Sequence, residues 1–223
     1  MALIEMTDVR KHFGKKQVLN GVTIAAERGQ IVGILGGNGC GKSTLLSILA
    51  GVLPADSGSF TVDGKDLLRD HKTRAKVVGY VPQGTPLIGE LNALDNLRLW
   101  YDNDRLQKEL NGGMLSALGI PDFLTTQVNR MSGGMKKRLS VGCAIANDPS
   151  ILLLDEPSAA LDLVCKGMLL DYFTEFCRRG GTILLATHDT EEISLCSSCF
   201  VLKDGLPTPY TYHGDLHDLI GRL

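Results

Sequence analysis

One stretch, Gly36-Gly37-Asn38-Gly39-Cys40-Gly41-Lys42-Ser43-Thr44, limits what this chain can fold into more than any other. It fits G-x-x-x-x-G-K-[ST]. It also stands between an apolar, strand-like run, Ile31-Val32-Gly33-Ile34-Leu35, and a helix-like one, Leu45-Leu46-Ser47-Ile48-Leu49-Ala50, and that context gives the pattern its meaning. Glycines at these spacings let the backbone curl with its N–H groups facing one concavity, and the helix that follows adds the positive end of its dipole. Gly36, Asn38, Gly39, Cys40, Gly41, Lys42, Ser43 and Thr44 therefore form the expected phosphate-holding set. Lys42 is expected to reach the β- and γ-phosphates of a nucleotide, and Ser43 to hold Mg²⁺.

Around this loop the chain reads as α/β. Residues 2 to 9 and 17 to 27 read as strands joined through His12-Phe13-Gly14-Lys15-Lys16, with a turn at Arg28-Gly29 leading to the loop strand. After a helix from Lys42 to Gly51, the run Ser59 to Gly64 reads as a strand ending in a turn, and Val77 to Val81 as another. Leucines at helical spacing from Leu91 to Leu118, interrupted at Gly112-Gly113, predict a helical insertion. Then come a helix from Ser132 to Asn147, a strand Ile151 to Asp155, a helix Leu163 to Arg179, a strand Thr182 to Ala186 and a helix Thr190 to Cys196. Such alternation predicts a mainly parallel sheet covered by helices on both faces. Phe200 to Gly205 reads as a hairpin-like end. The expected organisation is one domain over 1–223. Residues 1–83 and 131–223 form a catalytic core with an N-terminal antiparallel β subdomain; 84–130 and the start of the 132–147 helix form the insertion.

Composition narrows the partners. With 23 Lys and Arg against 25 Asp and Glu, the net charge is −2, so no basic excess points to nucleic acid. The longest apolar runs fall far short of the roughly 18 to 20 residues of a membrane span. The start, Met1-Ala2-Leu3-Ile4-Glu5, lacks a basic-then-apolar signal layout, which implies a cytoplasmic chain. Six scattered cysteines suit reduced thiols. Cys196-Ser-Ser-Cys199 is the one C-x-x-C, expected as two small half-buried residues at a helix-to-strand junction. Cys40 sits inside the phosphate loop, beside a helix N-terminus and Lys42, where a thiol can be redox-sensitive.

Two further sites follow from strand ends. Ile151-Leu152-Leu153-Leu154-Asp155-Glu156 delivers two carboxylates to the C-terminal tip of a buried-type strand, the end of a parallel sheet where ligands bind. Asp155 suits the Mg²⁺ side of a phosphoryl-transfer site and Glu156 a base for the attacking water. His188 follows the buried-type run Thr182 to Thr187, and its neutral ring is expected to donate a hydrogen bond to the γ-phosphate. His12, His71, His213 and His217 lack such a setting and are read as surface residues.

With these pieces in place, the chain resembles, over nearly its whole length, the nucleotide-binding subunit of an ABC transporter. Met131-Ser132-Gly133-Gly134-Met135 resembles the family signature Leu-Ser-Gly-Gly-Gln; taken by itself, Ser-Gly-Gly at a helix start is a second anion site. The resemblance implies that Ser132, Gly133 and Gly134 contact the γ-phosphate of ATP held by a second nucleotide-binding subunit, in a head-to-tail homodimer or heterodimer. It implies that Gln83, after Tyr80-Val81-Pro82, touches Mg²⁺ or the water and links to the helical insertion. It also implies that Ser158-Ala159-Ala160-Leu161-Asp162 crosses the dimer interface, that Phe13 stacks on adenine with Val18 packed nearby, and that His188 is the switch histidine. The partners implied are that second subunit and a separate transmembrane permease, which would hold the chain at the inner face of a membrane.

Departures from the family pattern are Met135 for Gln, Phe13 for Tyr, Gly37 for Pro or a small residue, and Cys40 for Ala or Ser. None removes a charge or a proton-transfer group. Met135 also resembles the ABC-2 type exporter group, which favours export; no acidic x-loop precedes Met131, which fits a subunit separate from its membrane domain. A different class, an ATP-gated interaction module in cofactor assembly or cell division, would carry the same motifs. An adjacent gene with about six apolar spans would separate the two.

Overall fold

The computed structural model describes residues 4–159 and 161–223. The expected strand residues Ala2 and Leu3, and Ala160 of the interface motif, lie outside the described residues.

In chain order, β1 (Ile4–Phe13) and β2 (Lys16–Ala26) lead to β3 (Ile31–Leu35) and α1 (Lys42–Ala50). Next come β4 (Ser57–Val62), β5 (Lys65–Asp66), α2 (His71–Val77), β6 (Val78–Val81), α3 (Ala93–Arg98), α4 (Asn103–Leu110) and α5 (Met114–Ala117). The second half runs α6 (Gly133–Ala144), β7 (Ile151–Asp155), α7 (Leu163–Arg178), β8 (Thr182–Ala186), α8 (Thr190–Ser194), β9 (Ser198–Lys203), β10 (Leu206–Tyr210) and α9 (Leu216–Arg222). The six-stranded sheet has the order β10-β9-β3-β8-β7-β6, parallel except for the β10 edge. A separate four-stranded sheet, β2-β1-β4-β5, is antiparallel. A mainly parallel sheet and an N-terminal antiparallel one were both expected.

Several boundaries differ. The strand β1 runs through His12 and Phe13, so the β1–β2 connection shrinks to Gly14 and Lys15. Leucine spacing suggests an unbroken helix from Leu91 to Gly112, but the chain breaks after Arg98, and Asp102 starts α4 afresh by accepting a hydrogen bond from the Arg105 N–H. The helix expected to reach Asn147 stops at Ala144. The short α2 and α9 carried no sequence signal strong enough to be read.

The buried-type strands face two cores, which is why they are apolar on both faces, with Thr182 and Asp155 only at strand ends. On one face Ile31, Leu152, Leu154, Ile183 and Leu185 pack with α6, α7 and the inserted helices through Leu139, Phe173, Leu97 and Leu115. On the other, Val32, Ile34, Ile151, Leu153 and Leu184 pack with α1 and the antiparallel sheet through Leu45, Leu49, Ile4 and Ile24. The approach of β6 to the end of α6 is close: a Cβ at Gly79 would lie 2.5 Å from the Ala144 carbonyl oxygen. Backbone cannot retreat as a side chain can. Gly79→Ala is expected to destabilise by about 1–3 kcal/mol, read as a lower urea midpoint with unchanged slope. An unchanged midpoint would mean that β6 shifts freely.

Candidate nucleotide site

All five strands of the parallel set end on one edge, and the expected residues gather there. A cavity of about 300 Å³ is lined by Asn38, Gly39, Gly41, Lys42, Ser43, Thr44, Gln83, Asp155 and Glu156. Four separate segments meet: the loop after β3, the start of α1, the residue two beyond β6, and the tip of β7. The strand C-termini are where α/β sheets place ligands.

The loop is shaped by glycine. Gly41 caps α1 at φ 114, and a Cβ there would lie 2.9 Å from a Leu19 methyl and 3.1 Å from the Val18 carbonyl. Only glycine adopts that conformation and fits that space. No side chain caps α1, so its first N–H groups remain available to an anion, as the sequence implies. Gly36 lets the Cys40 sulfur fold inside the loop, where a Cβ on Gly36 would stand 2.5 Å away. Lys42 is buried, and its Nζ donates to the carbonyls of Gly36 (2.6 Å) and Gly37 (3.2 Å). For Lys42 to meet phosphate oxygens, as the sequence implies, those bonds would have to be exchanged.

Asp155 is 2% exposed and pairs in register with Ala186 of β8. Glu156 takes φ 51, a left-handed conformation costing about 1–3 kcal/mol for a non-glycine residue. It is held by its N–H bond to the Ala186 carbonyl (2.9 Å). That turn aims its carboxylate across the sheet edge rather than along β7. The donor chemistry of Ser43, Gln83 and Asp155, a hydroxyl, an amide oxygen and a carboxylate lining one cavity, suits a hard cation such as Mg²⁺.

His188 is placed differently from its expected contact. Its Nδ1 sits 2.7 and 2.8 Å from the two Glu156 carboxylate oxygens, with the side chain 75% exposed. A carboxylate only accepts, so Nδ1 carries the proton, and a neutral ring then presents an acceptor, not a donor, at Nε2. The sequence places His188 at the sheet edge but says nothing of this tautomer.

Phe13 lies at the end of β1 and is 48% exposed, and the Lys11 ammonium stands 5.6 Å from its ring centroid. Asp56 accepts from Lys11 Nζ (2.8 Å) and from the His12 N–H (2.6 Å), and the Lys11 bond is the largest cause holding its carboxyl at about 2 against an ordinary 3.8. A depressed carboxyl adds stability that is complete above about 3.8 and is lost as pH falls toward 2. Between those limits, wild-type melting temperature is expected to fall more steeply than that of Asp56→Asn. Parallel curves would show that the pair contributes nothing.

Four expected residues, Ser132, Gly133, Gly134 and Asp162, sit elsewhere. Ser132 caps α6, its hydroxyl accepting from the Met135 N–H (3.2 Å), with Gly133 and Gly134 in the first turn; none of them lines the cavity. Asp162 likewise stands outside it and caps α7 by accepting from the Cys165 N–H (2.8 Å). The sulfurs of Cys196 and Cys199 pack against β3, 2.9 and 3.0 Å from where a Gly33 Cβ would be; Cys196 is half-buried between α8 and β9 as expected, whereas Cys199 lies within β9 and is buried. Lys137, which sequence reasoning passed over, is 3% exposed beneath this site. A lysine in a polar-faced helix carries no pattern that distinguishes it from a solvated one.

Comparison with known proteins agrees with this geometry. Residues 19–159 match the protein family described as ABC transporter. The lipoprotein-releasing system ATP-binding protein of Porphyromonas gingivalis is 36% identical over 92% of the chain and 98% of its own length. The spermidine/putrescine import ATP-binding protein of Bacteroides thetaiotaomicron is 35% identical over 92% of the chain, which spans 45% of that relative. Among solved structures, a dimeric ATP-binding cassette in a post-hydrolysis state bound to ADP and Pi superposes with a TM-score of 0.82 at 26% identity, over 95% of this chain and all of that one.

Proposed function

Because the chain belongs to the ABC transporter family as an ATP-binding subunit, we propose that it is a Mg²⁺-dependent ATPase whose dimer closes on two ATPs and so drives a separate membrane permease. The observation that carries this reading is the split between the two anion-binding helix ends. The α1 end shares a cavity with Gln83, Asp155 and Glu156, whereas the Ser132 end of α6 stands outside it. One chain thus holds the base and the phosphate loop of one site, and the lid for another.

Each residue then has a role in the reading. The N–H groups of the loop and of the start of α1, with Lys42, bind and orient the β- and γ-phosphates of ATP. Phe13 stacks on the adenine with Val18 beside it. Ser43, Asp155 and Gln83 hold Mg²⁺, which when bound offsets the charge on those phosphates. Glu156 takes the proton of the water that attacks the γ-phosphorus as the bond to the β-phosphate oxygen breaks. Closure turns His188 from Glu156 toward the γ-phosphate, freeing the base. Ser132, Gly133 and Gly134 of the partner cover the γ-phosphate and exclude water, and Asp162 lies at the interface between the chains.

The segment 84–130, with the start of α6, is the proposed permease-facing part and keeps the chain at the cytoplasmic face of a membrane. Among the described residues no helix is long and apolar enough to cross one. The proposed direction is export, supported by Met135; the relatives include both a releasing system and an importer. The purified chain is expected to hydrolyse ATP, to lose that activity on Mg²⁺ chelation, and to co-purify with a protein of about six apolar spans. Isolation only with non-membrane partners would shift the reading to an ATP-gated interaction module.

A further inference from the structure

Beyond the Val81–Leu154 pair the ladder between β6 and β7 stops, and the chain enters the exposed turn that carries Gln83. What holds it there is a lysine from another element. Lys137, on α6 five residues after Ser132, is buried, and its Nζ donates to the carbonyls of Pro82 (3.1 Å), Asp155 (3.4 Å) and Gln83 (3.5 Å). An ammonium has three donors, and here each meets a backbone oxygen from the two segments that flank the cavity.

Burying a lysine is costly unless its charge and all its donors are matched. Burial lowers the pKa of Lys137, and the nearby Asp155, Glu192 and Glu156 oppose that shift, with Glu192 fully buried on α8. A hydrophobic residue would fill the same space without that cost. The retained charge therefore suggests service to the site rather than to packing.

We propose that Lys137 is a positioning residue that fixes the Gln83 turn and the β7 tip to the helix bearing Ser132, so that Gln83 and the signature residues move as one body. The proposal rests on the ATPase reading above and deepens it. The same helix would carry at its N-terminus the lid for the partner's ATP, and one and a half turns later the tie to this chain's own Mg²⁺-facing glutamine. A movement of the permease-facing segment that reaches Gln83 would reach Ser132 through this lysine.

Lys137→Met keeps the length and removes the charge and donors; Lys137→Gln keeps part of the hydrogen bonding. In the full chain, Lys137→Met is expected to leave ATP affinity within about threefold while lowering kcat tenfold or more. It is also expected to weaken Mn²⁺ binding to the ATP complex, read by electron paramagnetic resonance, at least fivefold. Without nucleotide, amide exchange at Leu87 and Ile88, the residues of segment 82–88 whose N–H groups are bonded, is expected to speed up tenfold or more while α7 and β8 stay protected. Lys137→Gln is expected to fall between wild type and Lys137→Met. Unchanged exchange and kcat in folded Lys137→Met would overturn the proposal, as would exchange that accelerates evenly across the core. If Lys137→Met does not fold, the same measurements on Lys137→Gln decide. A wild-type chain without ATPase activity would sink the function reading alone, because the exchange experiment needs no nucleotide.

Discussion

Glu156→Gln is expected to bind ATP with near wild-type affinity and to hydrolyse it about 100-fold or more slowly, the usual scale for losing a general base. The substitution keeps size and hydrogen-bonding capacity, so the left-handed turn at residue 156 and its N–H bond to Ala186 survive. It removes only the proton acceptor. A second consequence follows from the proposed sharing of the site. On that reading closure is driven by ATP held between the chains and reversed by its hydrolysis, so a chain that binds without hydrolysing should accumulate as a dimer. Size-exclusion chromatography with ATP and Mg²⁺ should show Glu156→Gln as a dimer and the wild type mainly as a monomer. Turnover close to wild type would remove Glu156 from the role of base. The bond from His188 sharpens the comparison. An amide at 156 still accepts from Nδ1 through its oxygen but binds it less strongly than a carboxylate does.

Much of the site was legible because it depends on where strands end. The runs 31–35, 151–155 and 182–186 are short, apolar but for Thr182 and Asp155 at their ends, and bounded by polar residues or glycine, so their C-terminal tips could be read with little error. A parallel sheet brings such tips to one edge, and Lys42, Asp155, Glu156 and His188 are each attached to one. Rotamers and long side chains were not legible. The His188 bond to Glu156 depends on a torsion, and nothing in the pattern of residues 182–188 specifies it. Lys137 was passed over because its five-atom reach is what brings it to Pro82 and Asp155, across a tertiary contact with no sequence period. Among the elements, the break at Leu99–Asp102 was missed because leucine spacing continued across it, while the cap at Asp102 that restarts the helix is a single-residue signal. The segment Met131–Met135 was legible as a second anion site from its Ser-Gly-Gly at a helix start; that this site serves another chain came only from family resemblance.

Mixing two crippled chains tests whether the site is shared. Ser132→Arg places a bulky cation where the lid must meet the partner's phosphates, and Glu156→Gln removes the base; each homodimer then has two damaged sites. In a mixed head-to-tail dimer, both lesions fall in one site and the other site is assembled from intact halves. With the chains combined before ATP is added, so that they pair at random, hydrolysis in an equal mixture is expected to rise to roughly a quarter of wild type, since half the dimers are then mixed and each holds one intact site of two. The geometry requires this result if Ser132 serves another chain, because Ser132 lies outside the cavity that holds Glu156. A site complete within one chain predicts instead the average of the two low rates at every ratio. Ser132→Arg also gives up a helix cap worth about 1 kcal/mol. Its circular dichroism and melting temperature should therefore be shown close to wild type before the mixture is read. With that control in hand, a flat line across mixing ratios would reject the shared lid, and a maximum at equal amounts would establish it.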